Sequence, residues 1–320
     1  MALGFTNIIT ENFYPFTLTR KPEDIRIGIL TIRQKWELLN VQKKMDTLCL
    51  PSIINPKEKK ELTNITNVIQ LNDWAIRQDY ALITRGKTPV SISSTNKIIN
   101  PADIYIEEGA VVEHCFLNAT NGPIYIAKNA VIMEGSMLRG PVAICENAVV
   151  KMGAKIYGGT TIGPFCTVGG EIKNSILTGY SNKAHDGYLG DSIIGEWCNL
   201  GAGTTNSNIK NTAGSIKIKL GNIEINAGVK FGLLMGDYTR TAINTSFNTG
   251  TVVGVCANIF SNGLTPKFIP SFSWGCNDAI RYELPKAFTD INNWKKMKGL
   301  HITEEEKEML TNIYDKLINP

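Results

Sequence analysis

The sequence predicts a mainly β protein, a parallel β-helix of hexapeptide repeats with a small α/β N-terminal domain and C-terminal helices. Two observations carry this. Ile126, Ile132, Leu138, Ile144, Val150, Ile156, Ile162 and Val168 stand six residues apart without interruption. Small residues recur four positions after many of them, at Ala130, Ala148, Ala154, Thr160 and Cys166. An amphipathic helix would repeat at three and four residues, and a plain strand at two. A period of six fits a coil of short parallel strands with a turn after each. One aliphatic side chain per repeat points inward and stacks on its equivalent in the next rung, contributing roughly 1.5–3 kcal/mol by burial. The small residue fits where the chain turns.

The period continues on both sides. Ile106 and Val112 keep it upstream; Tyr188, Ile194 and Leu200 keep it downstream; Leu234 and Val252, with the runs 232–236 and 250–255, read as further rungs. Two stretches interrupt it, 179–187 and 206–228, and loops that leave a rigid coil are where such folds carry function. These signals divide the chain into residues 1–98, 99–265 for the coil, and 266–320. In the first part, Ile25, Ile29, Ile32 and Trp36 share one helical face, and 57–60 reads as a solvated turn. In the last, Thr303 to Glu306 is a capping box, and Met309, Leu310, Ile313, Tyr314 and Leu317 form an apolar stripe. A helix over 304–317 that packs back on the coil follows.

Composition narrows the function classes. A net charge of +4 over 320 residues, with no basic cluster, argues against a dedicated nucleic-acid binder. No apolar run is long enough to span a bilayer, so no membrane partner is expected, and the first five residues lack the pattern of a signal peptide. The seven cysteines are odd in number and never in CxxC spacing, which fits free thiols in a reducing cytoplasm rather than disulfides or a metal site.

Three histidines are present: His114, His185 and His301. His114 sits within an early rung and His301 precedes a helix. His185 lies in the interruption, in a stretch dense in polar groups and flanked by glycines, beside Asp186. That stretch reads as an extruded loop. An imidazole that titrates near neutrality is suited to take a proton from an attacking amine. The glycines form no GxxxxGK[ST] loop, and 195–203 does not open a helix as a dinucleotide site requires. Residues 201–203 read as a tight coil turn.

The coil together with 183–191 (Lys-Ala-His-Asp-Gly-Tyr-Leu-Gly-Asp) and 199–208 (Asn-Leu-Gly-Ala-Gly-Thr-Thr-Asn-Ser-Asn) resembles the acetyltransferase half of the bifunctional N-acetylglucosamine-1-phosphate uridylyltransferase / glucosamine-1-phosphate acetyltransferase (GlmU) family. Stretches 15–20, 24–33, 121–126, 151–157, 195–200 and 247–254 resemble an alternative form of that enzyme with a shortened N-terminal domain. The resemblance is near complete from about 64 to 320. It implies a left-handed coil, a homotrimer with each active site between neighbouring subunits, and acetyl-CoA as cosubstrate. It places the catalytic base on His185, a partner tyrosine on Tyr188, a sugar-holding asparagine on Asn199 and a base-orienting asparagine on Asn208. A glutamate and a lysine of the family fall on Glu171 and Lys173. A phosphate-gripping arginine falls on Lys155, a departure, because lysine cannot grip phosphate bidentately. Ala202 and Gly203 fall in the turn expected to hold the cofactor, and a backbone N–H near Gly203 is expected to stabilise the oxyanion.

The first hundred residues depart more from the family. A nucleotidyltransferase domain needs a full doubly wound sheet, a glycine-rich turn and carboxylates for Mg²⁺, and this length is short for one. Gly4 and Gly28 are the only glycines before Gly86, and a long piece is missing around 45–65 relative to the family pattern. The reading is a reduced domain, inactive in uridylyl transfer and dispensable for acetyl transfer. Mg²⁺ enters only if that domain is active. The favoured activity is acetyl transfer to the amine of glucosamine-1-phosphate in UDP-N-acetylglucosamine synthesis. Two alternatives stay open: a surviving nucleotidyltransferase, and a non-catalytic remnant coil.

Overall fold

The structure, a computed structural model, describes residues 10–39, 48–55, 58–276 and 279–318. Its body is a parallel β-solenoid of about ten turns. The hexad repeat dictates three faces, because three six-residue units close one turn. A long face carries nine parallel strands, from Ile104–Ile106 to Phe268–Ile269. A second face carries six, from Lys97–Ile99 to Tyr188–Gly190. A third carries five, from Val111–Val112 to Asn182–Lys183, and continues through bridges at Asn199 to Arg240–Thr241 and Asn258–Ile259. The second and third are called here the Tyr188 face and the Asn199 face.

The hexad aliphatics stack as expected. Ile126, Ile144, Ile162, Leu177, Ile194 and Met235 are successive register partners on the long face. Ile132, Val150 and Val168 do the same on the Asn199 face, and Leu138, Ile156, Ile172 and Leu189 on the Tyr188 face. All join one core, with Ala130, Ala148, Ala154 and Cys166 filling the turns. None of the seven cysteines is in a disulfide.

The phase slips further on. Tyr188 is half-buried and faces outward, and Leu189 takes the inward place. At the later rungs Leu233, Met235 and Val253 point inward, whereas Leu234 and Val252 face out into a second core. The stretch 179–187 is not an extruded loop. Asn182–Lys183 pairs with Thr167–Val168, and only 15 residues separate Val168 from Lys183 against 18 from Val150 to Val168. The interruption is a shortened rung. The stretch 206–228 does leave the coil, as an antiparallel pair, Lys217–Leu220 with Ile223–Asn226.

The N-terminal residues lie over the long face. They hold helices α1 (Ile32–Leu38), α2 (Ile65–Gln70) and α3 (Asn72–Thr84) and two antiparallel pairs, Arg26–Ile27 with Leu30–Thr31 and Cys49–Pro51 with Lys59–Glu61. Phe13, Phe16, Ile25, Ile27 and Trp36 share a core with Ile176, Ile193, Leu234 and Val252 of the coil. Two expectations change here. The helical face from Ile25 to Trp36 is helical only from Ile32; a turn at Gly28 folds the earlier part into a hairpin, held by Asp79, which accepts the Ile29 and Leu30 N–H groups at 2.7 and 3.0 Å. Lys59 and Lys60 lie in a strand rather than a turn, and Lys57 and Gly4 lie outside the described residues.

Helices α4 (Leu284–Lys296) and α5 (Glu304–Ile318) pack back on the coil, sharing a core with Trp197, Tyr238, Val255 and Phe272. The capping box is present: Thr303 N–H donates to Glu306 Oε2 at 2.9 Å, and Glu306 N–H to Thr303 Oγ1 at 3.2 Å. Among the described residues no helix is long and apolar enough to cross a membrane.

Candidate active site

Strand alternation decides which side chains leave the Tyr188 face. Ile156, Ile172 and Leu189 point inward, so Lys155, Glu171 and Tyr188 point out. These three are direct register partners on successive strands. With strands about 4.8 Å apart, they form one column spanning about 10 Å. Lys173, opposite Gly190, stands in the adjacent column. Among the described residues neither Lys155 nor Lys173 has an ion pair, so both offer bare ammonium groups to an anion. Below them lies a groove of about 280 Å³ lined by Phe116, Met137, Arg139, Lys155 and Tyr157.

Tyr188 is held from two sides. Its ring folds over Gly190, where a Cβ would fall 2.2 Å from Tyr188 Oη. Its hydroxyl oxygen accepts from Asn208 Nδ2 at 3.0 Å, and the same amide donates to Asp191 Oδ2 at 2.5 Å. Asp191 Oδ1 in turn accepts from Asn174 Nδ2 at 2.7 Å. Burial, and then the nearby Asp191 and Glu171 carboxylates, push the Tyr188 hydroxyl up to about 12. Tyr188 is therefore a neutral hydrogen-bonding group at physiological pH.

His185 stands at the corner where the Asn199 face gives way to the Tyr188 face, and it is exposed. Its imidazole makes no hydrogen bond with any described residue. Its backbone is anchored instead. Lys183 Nζ donates to the His185 carbonyl, and the Gly203 N–H donates to the Asp186 carbonyl at 3.0 Å. Gly187 follows at φ 126°, where a Cβ would fall 2.1 Å from the Thr204 carbonyl. The turn 201–204 thus stacks directly on the turn that carries His185. Since the Gly203 N–H is taken by Asp186, the N–H in this turn without a partner among the described residues is that of Ala202.

The structure brings Lys155, Glu171, Lys173, Tyr188 and Asn208 together on one face, with His185, Ala202 and Gly203 at its edge. It does not bring Asn199 there. Asn199 lies on the neighbouring face, bridged to Asn182 and Arg240. Asn208 reaches Tyr188 and Asp191, not the imidazole. His114 and His301 are exposed; His114 lies in the turn before the strand Phe116–Asn118 and donates its backbone N–H to Thr95 Oγ1 at 3.1 Å.

Sequence reasoning passed over three residues. Asp191 closes the 183–191 stretch, and that position was the one available signal. Arg240 is 8% exposed, lies next to Asn199, and has Nε and Nη2 without a hydrogen-bond partner among the described residues. Lys183 is buried inside the coil. Neither of the last two has a local signature, because each depends on which way the strand faces.

No family model matches the chain. A stretch of 84 residues is 37% identical to the bifunctional protein GlmU of Methanocaldococcus jannaschii, covering 26% of this chain and 21% of that one. A stretch of 91 residues is 34% identical to a bifunctional sugar-1-phosphate nucleotidylyltransferase/acetyltransferase of Sulfurisphaera tokodaii, covering 28% of this chain and 23% of that one. The match spans less than a quarter of the length of these two relatives. Among solved structures, the UDP-N-acetylglucosamine O-acyltransferase of Moraxella catarrhalis RH4 aligns over 70% of this chain and 91% of its own, at 14% identity and a TM-score of 0.31.

Proposed function

We propose that this chain moves the acetyl group of acetyl-CoA onto the amine of glucosamine-1-phosphate, in the cytoplasm, as a step toward UDP-N-acetylglucosamine. The observation that carries the reading is the column Lys155–Glu171–Tyr188, closed by Asn208, beside the His185 corner. Two bare ammonium groups, at Lys155 and Lys173, suit the phosphate as point charges. Glu171 and Tyr188 offer the acceptor and donor groups that fix sugar hydroxyls. The amine nitrogen attacks the thioester carbonyl, and His185 takes the proton that the nitrogen sheds. The Ala202 N–H faces no competing partner and is the group assigned to the oxyanion. The C–S bond then breaks, and the sulfur leaves as the thiol of CoA after taking a proton.

The separation of Asn199 from Tyr188 supports a homotrimer. The long face is covered by the chain's own N-terminal residues, and α4 covers the Asn199 face at Arg240, whose guanidinium lies over the Trp294 ring, which leaves the Tyr188 face and the earlier rungs of the Asn199 face for neighbours. A ring in which the Tyr188 face of one coil meets the Asn199 face of the next would reunite the two groups. The N-terminal residues are read as inactive in uridylyl transfer; Mg²⁺-dependent release of pyrophosphate from UTP would overturn that.

The test is His185→Ala, assayed with acetyl-CoA and glucosamine-1-phosphate by release of free thiol. A positioned general base contributes about 10²–10⁴-fold, and kcat should fall by that factor. Sedimentation should show the same trimer for variant and wild type. Retention of more than about a third of the rate, far above that range, would remove His185 from the mechanism.

A further inference from the structure

Inside the coil on the Asn199 face, one column of register partners runs Val112, Ile132, Val150, Val168 and then Lys183. Four aliphatic residues are followed by a lysine that is 1% exposed. Among the described residues no carboxylate lies within ion-pair distance of it. Its ammonium donates to the carbonyl of His185 and, at 3.4 Å, to that of Gly169. Burial pushes its pKa down to about 8, and Asp186 is the charge that pulls the other way. An ammonium withdrawn from water without a counter-ion is destabilising, and a well-packed apolar side chain at such a place is commonly neutral or stabilising. A fifth aliphatic residue would serve the coil better. The lysine therefore calls for a reason other than stability, and of the two carbonyls it grips from within, the closer is that of His185.

We propose that Lys183 is a positioning residue for His185, fixing from inside the coil the turn that presents the imidazole. The inference rests on the reading of His185 as the base. The exposed turn has three anchors: the Gly203 N–H on the Asp186 carbonyl, the Glu171 N–H on the Gly187 carbonyl, and Lys183 on the carbonyl of His185 itself. Removing the last frees the peptide that carries the base while leaving every substrate contact on the Tyr188 face in place. A misplacement of about 1 Å in a reacting group can lower a rate about 10²-fold.

The variant is Lys183→Met, with Lys183→Ile as the second. Both give the column an apolar member. The expected protein is a trimer at least as stable as wild type, with kcat for acetyl transfer lowered about 10- to 100-fold and both KM values within about twofold of wild type, since substrate contacts are untouched. The double variant His185→Ala/Lys183→Met should be no slower than His185→Ala alone, because a residue that acts only through another adds nothing once that one is gone. Full kcat in Lys183→Met beside an inactive His185→Ala would overturn the positioning role and leave the base in place. So would losses that multiply in the double variant. An active His185→Ala would remove the base and this inference together. If neither Lys183 variant folds, the lysine serves the coil's stability and the proposal is wrong.

Discussion

In the coil, the inward aliphatic side chains stack on partners one turn away along the chain, and the parallel strands pair with those one turn away. In the described residues before 86, which cover the long face, the partners are distant. Asn72 accepts from the Gly28 N–H at 2.7 Å and donates to the Gly159 carbonyl at 2.7 Å and to Thr161 Oγ1 at 3.1 Å. Arg26 donates to the Thr178 carbonyl at 3.1 Å, and Arg20 pairs with Glu196 at 3.1 Å and with Asp237. The two regions are also built of different material. The coil's core is aliphatic, whereas the cover is fastened by buried polar groups, including the Lys35–Asp79 ion pair. A solenoid supplies its own core from any stretch of itself; the cover has a core only because the coil lends it a face.

The largest effect should come from separating the two. The sequence alone suggests that residues 1–98 can be removed with little loss. The shared core says otherwise, since removal exposes Ile176, Ile193, Leu234, Val252 and Phe231 along one face. A continuous apolar strip of that kind is an aggregation site. The truncated chain should therefore be recovered mainly as aggregate, as judged by soluble yield and size-exclusion chromatography. A soluble, active trimer of residues 99–320 would break the comparison and restore the cover to the status of an independent unit.

A smaller effect tests the cover from inside. Asp79 accepts the Ile29 and Leu30 N–H groups and the Lys35 ammonium, and both members of the pair are buried. Asp79→Ala would leave a buried cation and two N–H groups unmatched. Breaking a buried pair in this way costs about 3–5 kcal/mol. Because the cover cannot lift without exposing the long face, the loss should appear as one lowered unfolding transition, followed by circular dichroism. A separate early transition, with the coil's transition unmoved, would show that the cover unfolds alone.

The same contrast explains what the sequence reveals. The hexad run from Ile126 to Val168 is readable because each rung there keeps its 18-residue length. Once rungs shorten to 15, 16 or 17 residues the hexad phase slips, so Tyr188, Leu234 and Val252 turn outward and a contracted rung around His185 resembles an insertion. The candidate site was legible, through motif and resemblance, in the neighbourhood of Lys155, Glu171, Lys173, Tyr188 and His185; the expected contact of Asn208 with the imidazole was not met, since its amide reaches Tyr188 and Asp191. The site was not legible where it rests on facing. Nothing local separates Lys183, which points into the coil, from Lys173, which points out, and nothing local says that Asn199 lies across a corner from Tyr188. The cover was the least legible part, because Ile29 and Leu30 are placed by Asp79, some fifty positions later in the chain.

The smallest effect bears on a place where the coil adopts the cover's habit of burying a charge. The folded chain lowers Lys183 from the ordinary lysine value of 10.5 to about 8. Between those values the unfolded chain holds the proton and the folded chain does not. Stability from this group therefore rises with pH across that window, and its destabilising contribution is fully present below about pH 8. Lys183→Met has no proton to lose, so at pH 7 it should be the more stable protein. Its lead over wild type should shrink as the pH is raised from 8 toward 10, by at most about 1.4 kcal/mol per pH unit. Comparing the two proteins by urea unfolding at pH 7, 8, 9 and 10 cancels the other lysines, tyrosines and cysteines that titrate in the same range. A lead that is the same at pH 7 and pH 10 would mean that Lys183 keeps its charge hydrated, and the coil would then differ from its cover in holding no buried charge at all on this column.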